Sequence, residues 1–537
     1  MDSTMETVRQ RGDQKLTTII LLLGVNLGFL ADQLIGTAGP VGLGFFVWSS
    51  LFALAFGWLT FRVHSNELKS VLAWSAVALL ATGLILLRTT PVLVVSLLLV
   101  MAVAMAMIIL QLGGLSLLNS TLADHLRAMS ILAWRGGFGA LPVVSNTDFS
   151  AGLKHPQLWA ALRGTMLALP LIVIFVILFS SADAGFDRLA SNLFDHFSAD
   201  LLRHLSLTAL FTWISIGLLA CVLGNGMLKN RKPFRPFKLA TIDTAILMSA
   251  LAVLFLVFVF LQLGYLFGGR ETIEATSGLT LAQYARRGFF ELLTVAGLTL
   301  SLLITVAGSG CNQRVFRPLA TVLVGCVLIT QASALQRLLL YVDEFGLTID
   351  RLAALAVMTW LAGGILLFSG TLMRGQARLF AAGMTSSGIA IIFLLAIVNP
   401  GALVAEVNIE RASESNRTLD FQHLIDLGSD AVPVLIENLE KLPVAGRCQS
   451  VHFLFSNWYD SSAPARAETV DWRGWTYSES RAARLIEKFE EQYKDLAAGC
   501  LASGQTVDFF GRLQYQLLVN GELYNADPLT LWINSTN

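Results

Sequence analysis

The stretch "LTLAQYARRGFFELLTVAGLTLSLLITV" (Leu279–Val306) decides which solvent this chain folds in. It is apolar from Leu292 onward, yet it opens with Arg286, Arg287 and Glu291. Beside a helix in water, three charges are only a polar face. In a bilayer they must stop at the headgroups or be paired. Composition chooses between these. Only 14% of the 537 residues are charged and 55% are hydrophobic, against about 25% charged in soluble domains. The mean hydropathy is +0.66, and apolar runs of roughly 17–25 residues recur, each able to cross a hydrocarbon core of about 30 Å. The expected fold is an all-α polytopic integral membrane protein.

Eleven spans are expected: Leu16 to Ile35, Val41 to Phe61, Val71 to Leu87, Pro91 to Leu112, Gly164 to Ser181, Leu207 to Met227, Ala240 to Phe267, Gly288 to Val306, Leu319 to Leu340, Leu352 to Met373, and Leu379 to Val398. Arg9, Arg11 and Lys15 precede the first run, which has no convincing small-residue cleavage site and reads as a transmembrane helix rather than a removable signal. "ILAWRGGFGALPVV" (Ile131–Val144) is too short to span and suits an interfacial or re-entrant segment. With the N-terminus in the cytoplasm, inner segments hold 18 Lys and Arg and outer loops hold 8. That bias predicts N-inside, and an odd span count sends the C-terminus outside.

After Pro400 the character changes. Residues 401–537 carry 19 acidic and 11 basic residues and no span-length apolar run. The expected organisation is a transmembrane domain over 1–400 and a small, helix-rich, soluble extracytoplasmic domain over 401–537. "SESRAARLIEKFEEQYKDLAAG" places Ala482, Leu485, Ile486 and Phe489 on one helical face. "DFQHLIDLGSDAVPVLIENLEKL" predicts two short helices broken at Gly428, with Ser429 as cap and Pro433 in a first turn. "SVHFLFSNWYD" is a candidate strand. Cys448 and Cys500 are the only cysteines after Pro400. In an oxidising compartment they can bridge, a link worth roughly 4 kcal/mol on the chain-entropy model. Cys221, Cys311 and Cys326 read as small apolar residues of the membrane part.

Four further stretches carry a resemblance: "LFSSADAGFDRL" (Leu178–Leu189), "YARRGFFEL" (Tyr284–Leu292), "LQRLLLYVDEFGLTIDRL" (Leu335–Leu352) and "LDFQHLIDLGSDAVPVL" (Leu419–Leu435). Together, and in this order, they resemble an uncharacterised bacterial polytopic membrane-protein family, domain of unknown function 4153/4173. The similarity covers about residues 160 to 440. It implies a multi-pass protein of the bacterial cytoplasmic (inner) membrane and carries no chemistry with it.

N-inside topology brings Arg286, Arg287 and Glu291 to the outer boundary, and Arg337, Tyr341, Asp343 and Glu344 to the same boundary on the next outer connection. Pairing Glu291 with Arg337, and the two other arginines with Asp343 or Glu344, would offset the insertion cost. Two meanings compete: snorkelling with structural ion pairs, or an outer-leaflet site for an ion, anion or lipid headgroup. His196, Asp200 and His204 share a helical face that could hold a transition metal. A surface helix carries such residues by chance and no fourth ligand is visible, so no metal or cofactor is assigned. Lys229, Arg231, Lys232, Arg235 and Lys238 predict contact with anionic lipid on the inner leaflet. Asp32 lies at the outer end of the first span, where enzymes of lipid-linked sugars often place an acid, although the loop after it is short. Phosphate loops, dinucleotide fingerprints, zinc-protease motifs and nucleophile elbows are absent, and the charge pattern indicates no nucleic acid. Ionisable residues near mid-membrane are scarce, which disfavours ion-coupled transport. The expectation is a non-enzymatic envelope protein with a sensing, scaffolding or transport-linked role and a periplasmic ligand or protein partner. The alternatives are an envelope enzyme acting on lipid-linked substrate at the outer leaflet, and a transporter.

Overall fold

The computed structural model describes residues 2–35, 41–146, 199–223, 238–267, 289–415, 420–442, 471–488, 515–519 and 522–526, with scattered positions in 164–188 and 447–454. Ten helices among the described residues are long and apolar enough to cross a membrane, from Gln14–Ile35 to Ala377–Val398. Each coincides with an expected span. The eleventh, Gly164 to Ser181, falls largely outside the described residues. The fold is an all-α multi-pass membrane protein followed by a small helix-rich region.

Contacts divide the chain into two compact units. The first comprises residues 1–86, 96–232 and 471–476. Its helices are α1 (Asp2–Ile35), α2 (Leu43–Val63), most of α3 (Leu68–Leu87) and of α4 (Pro91–Leu112), α5 (Leu122–Phe138), α6 (Ala140–Asn146) and α7 (Ala199–Leu219). The tightest partnership is the antiparallel pair α1–α7. Gly24 and Gly28, one turn apart on α1, explain it. A Cβ on Gly28 would sit 1.9 Å from Thr212 Oγ1 and 2.7 Å from the Thr208 carbonyl oxygen, and one on Gly24 would sit 2.3 Å from Ile216. Small residues spaced by four let two backbones meet where lipid supplies no hydrophobic drive. Trp48 of α2 closes over the pair, donating to the Leu27 carbonyl at 2.9 Å and meeting Phe211 edge-on at 5.2 Å. Beneath it Ile20, Phe56, Leu59, Met107 and Ile216 are buried together.

Helix α5 has only 17 residues, too few to span. Asp124 caps its start, accepting from Thr121 N at 2.9 Å and Thr121 Oγ1 at 2.8 Å. Its far end is held against α7, where Trp213 Nε1 donates to the Gly137 carbonyl at 2.8 Å.

The second unit comprises residues 87–95, 233–470 and 477–537. It contains α8 (Thr241–Phe267), α9 (Phe289–Gly308), α10 (Gln313–Phe345), α11 (Ile349–Gly370), α12 (Ala377–Val398), α13 (Pro400–Ser415), α14 (Phe421–Asp426), α15 (Val432–Glu437) and α16 (Tyr477–Lys488). Helices α8, α9 and α11 pack on α10. Away from α10, α8 turns Ile242, Val253 and Phe260 outward, the last 77% exposed, an arrangement stable only in an apolar solvent. Asn399 ends α12 in the left-handed region at φ 63°, and Pro400 then opens α13, where a missing N–H costs nothing.

Beyond Pro400 an apolar core forms in which Val404, Ile409, Leu424, Val432, Leu435, Ala482 and Ile486 are buried together with Leu347 of the α10–α11 connection. The two short helices flank Gly428 as expected, at φ 69°, and Pro433 lies in the first turn of α15. Two expectations are corrected. Ser429 does not cap α15, because its hydroxyl is taken up by Thr89 and Ser478. Nor is "SVHFLFSNWYD" a strand where it is described: Ser450, Val451 and Leu454 are helical, with Val451 and Leu454 in that same core. The strands are β1 (Tyr515–Val519) and β2 (Glu522–Ala526), antiparallel with Val519 opposite Glu522. Asn520-Gly521 separates them in sequence, the strongest two-residue hairpin signal.

Candidate functional site

In the first unit, the Gly24–Gly28 crossing continues one turn to Asp32. Its side chain is 3% exposed and meets His204 of α7, whose side chain is 35% exposed. His204 Nδ1 lies 2.8 Å and 2.9 Å from the two Asp32 oxygens, and Gln33 Nε2 donates to Oδ2 at 3.1 Å. A carboxylate oxygen accepts here, so Nδ1 carries the hydrogen of this contact. The segment 471–476 seats on the same helix end. Arg473 donates to the Gln33 carbonyl, and Trp475 O accepts from Leu43 N at 3.1 Å. Arg473 also pairs with Asp471. The hydrogen bond to Arg473 holds the Asp471 carboxyl below its usual range, and the same bond holds the guanidinium above its own.

In the second unit, Asp430 is almost wholly buried and its carboxylate accepts from backbone and hydroxyl donors among the described residues. Thr89 N (3.0 Å), Thr90 N (3.2 Å) and Thr90 Oγ1 (3.0 Å) reach Oδ2, and Ser478 Oγ reaches Oδ1 at 2.7 Å. The carboxylate thus sits on the N-terminus of α4, where the helix dipole favours an anion. Arg88, one residue away, donates to the Ala396 and Ile397 carbonyls at 2.8 Å and 3.2 Å, capping the C-terminus of α12. Burial pulls the Arg88 pKa down and nearby Asp430 pulls it back up. Asn408 of α13 binds both the N–H and the carbonyl of Leu347 at 2.7 Å. Arg411 completes this end by donating to the Asp343 and Glu344 carbonyls.

The charged cluster expected around Glu291 is arranged differently. Glu291 is exposed on the first turn of α9. Arg337 is buried and donates to Gln262 Oε1 at 2.9 Å, an oxygen that also accepts from Ser333 at 3.0 Å. A neutral amide therefore meets the guanidinium where Glu291 was expected. Tyr341 lies under the Arg351 guanidinium at 4.2 Å. Asp343 and Glu344 are exposed and contribute backbone oxygens to Arg411. Arg286 and Arg287 lie outside the described residues, as do Cys448, Cys500, His196 and Lys229, Arg231, Lys232 and Arg235; Lys238 is exposed. Of the possible metal face, His196 lies outside the described residues, Asp200 pairs with Arg203 at 3.4 Å and His204 meets Asp32. Cys221, Cys311 and Cys326 are free and buried.

Sequence reading singled out Asp32 and His204 separately and missed that they meet; the Gly24-x-x-x-Gly28 spacing was the available signal. It missed Asp430 altogether, although the residue lies inside "LGSDAVPVL".

Helix lengths, apolar outer faces and polar helix ends define a multi-pass α-helical membrane protein. A family model described as Domain of unknown function (DUF4153) matches residues 41–438, and the chain belongs to that family. No curated protein and no solved structure matches it.

Proposed function

We propose that the chain is a bacterial inner-membrane envelope protein with a cytoplasmic N-terminus, and that the region after Pro400 is an extracytoplasmic module serving a sensing or scaffolding role. The 18-to-8 bias of Lys and Arg supports the orientation. The observation that carries the role is Asp430. Its four short hydrogen bonds join the α3–α4 connection to the segments around Ser429 and Ser478, so a load on this module would be felt at a helix end. A reporter active only in the cytoplasm, fused after Asn537, should stay silent in cells, and a partner reporter active only outside should be on. The reverse pattern would overturn the orientation and the role together.

A second reading, an envelope enzyme acting on lipid-linked substrate at the outer leaflet, is favoured by one observation. A buried carboxylate orients a part-exposed histidine at a span end, an arrangement that suits acid–base chemistry.

A further inference from the structure

We propose that Asp32 and His204 form a site whose working atom is His204 Nε2, and whose ligand is a hydroxyl-bearing lipid headgroup. The inference rests on the second reading above. The apolar span of α1 ends at Ile35 and that of α7 begins at Arg203, so the imidazole lies at headgroup depth. Asp32 is buried, and its two oxygens lie at nearly equal distances from Nδ1, which fixes the tautomer and the ring plane. Nε2 takes no protein partner among the described residues. The same atom is committed in two other histidines: His64 Nε2 lies 3.0 Å from the Val222 carbonyl oxygen, and His125 Nε2 lies 2.8 Å from Ser120 Oγ. A tie between two helices needs only the Nδ1 side of the ring. The other nitrogen belongs to a side chain that is 35% exposed and is left over for a ligand.

The headgroup hydroxyl donates its O–H to the Nε2 lone pair as a hydrogen bond, and the Asp32 carboxylate behind Nδ1 makes that lone pair a stronger acceptor. His204 touches the ligand and Asp32 is a positioning residue.

Carbethoxylation by diethylpyrocarbonate, followed residue by residue by mass spectrometry on the full chain in detergent, reads the availability and nucleophilicity of Nε2. His204 should react faster than N-acetylhistidine amide, while His64 and His125 lag behind it. Asp32→Asn should slow His204 by roughly tenfold, the lower end of what losing a carboxylate behind a histidine costs, with His64 and His125 still slow. A wild-type His204 no faster than the free amide overturns the site, as does an unchanged rate in that variant. If Asp32→Asn speeds His64 and His125, the variant has opened, and the wild-type comparison decides alone. Micelles containing phosphatidylglycerol should protect His204 several-fold relative to phosphatidylserine, which has the same charge and no headgroup hydroxyl, while free glycerol should not protect. Equal protection by both lipids removes the headgroup ligand. His204→Cys labelled on intact cells by an impermeant maleimide tests the second reading itself: no labelling overturns the outer-leaflet placement, even where the carbethoxylation results stand.

Discussion

Asp32 and Asp430 are both buried carboxylates, and they are satisfied in opposite ways. Asp430 has its oxygens filled by backbone and hydroxyl donors, so its role is mechanical. Asp430→Ala strands several buried donors at once and should destabilise the protein by about 2–4 kcal/mol, several degrees in thermal melting. Thr90→Val removes one hydroxyl and should cost about 1 kcal/mol. Equal, negligible losses in both would mean the junction carries no load. His125 supplies a pH prediction. Burial lowers its pKa, against a smaller upward pull from Asp124, so the folded protein holds the ring neutral. The unfolded chain binds a proton first as pH falls below about 6.5. The stabilisation is therefore fully present above that value and is lost as pH drops through the lowered folded value. Melting temperature should fall between pH 7 and pH 5, and His125→Gln should flatten that part of the profile.

At the scale of elements, glycine decides which helices meet. Gly28→Val has no room against Thr212 and Thr208 and should part α1 from α7, with a loss of about 1–3 kcal/mol for overpacking. It should also separate Asp32 from His204, readable as a His204 carbethoxylation rate that no longer responds to Asp32→Asn. Gly297 of α9 faces open space, and Gly297→Ala should be neutral or stabilising by a few tenths of a kcal/mol. If the two substitutions behave alike, close approach is not what holds the first unit together. Helix α5 shows the same logic at an interface. It buries Asp124, His125 and Ala128 and turns Leu126, Trp134 and Phe138 outward, and the boundary between headgroups and acyl chains suits such a stripe.

For the whole molecule, the orientation proposed from charge places residues after Pro400 in an oxidising compartment, where Cys448 and Cys500 are expected to join. Mass mapping of the native protein without reduction should recover their two peptides as one linked species. Recovery of both as free, alkylated thiols would remove the bridge. Cys221, Cys311 and Cys326 should resist labelling in the folded protein, because all three are buried and burial pushes the Cys311 thiol up.

Sequence alone determined the solvent, the class of fold and nearly every span, because a bilayer demands long apolar runs and tolerates few charges whatever their partners. Gly428 and Pro433 were legible as a helix break for a similar reason: their backbone preferences are local. Partnerships were not legible. Glu291 and Arg337 are alike in expected depth and opposite in charge, yet Arg337 meets Gln262, because depth along a helix says nothing about which face turns toward which neighbour. Likewise "SVHFLFSNWYD" has strand-like composition, but a core shared with Leu435 and Ile486 made its described residues helical. Asp32 with His204 stands 172 residues apart, and Asp430 with Thr89 stands 341 apart. Only tertiary packing chose those pairs, since the hydrogen bonds that satisfy a buried carboxylate depend on three-dimensional approach and leave no periodic trace in the chain.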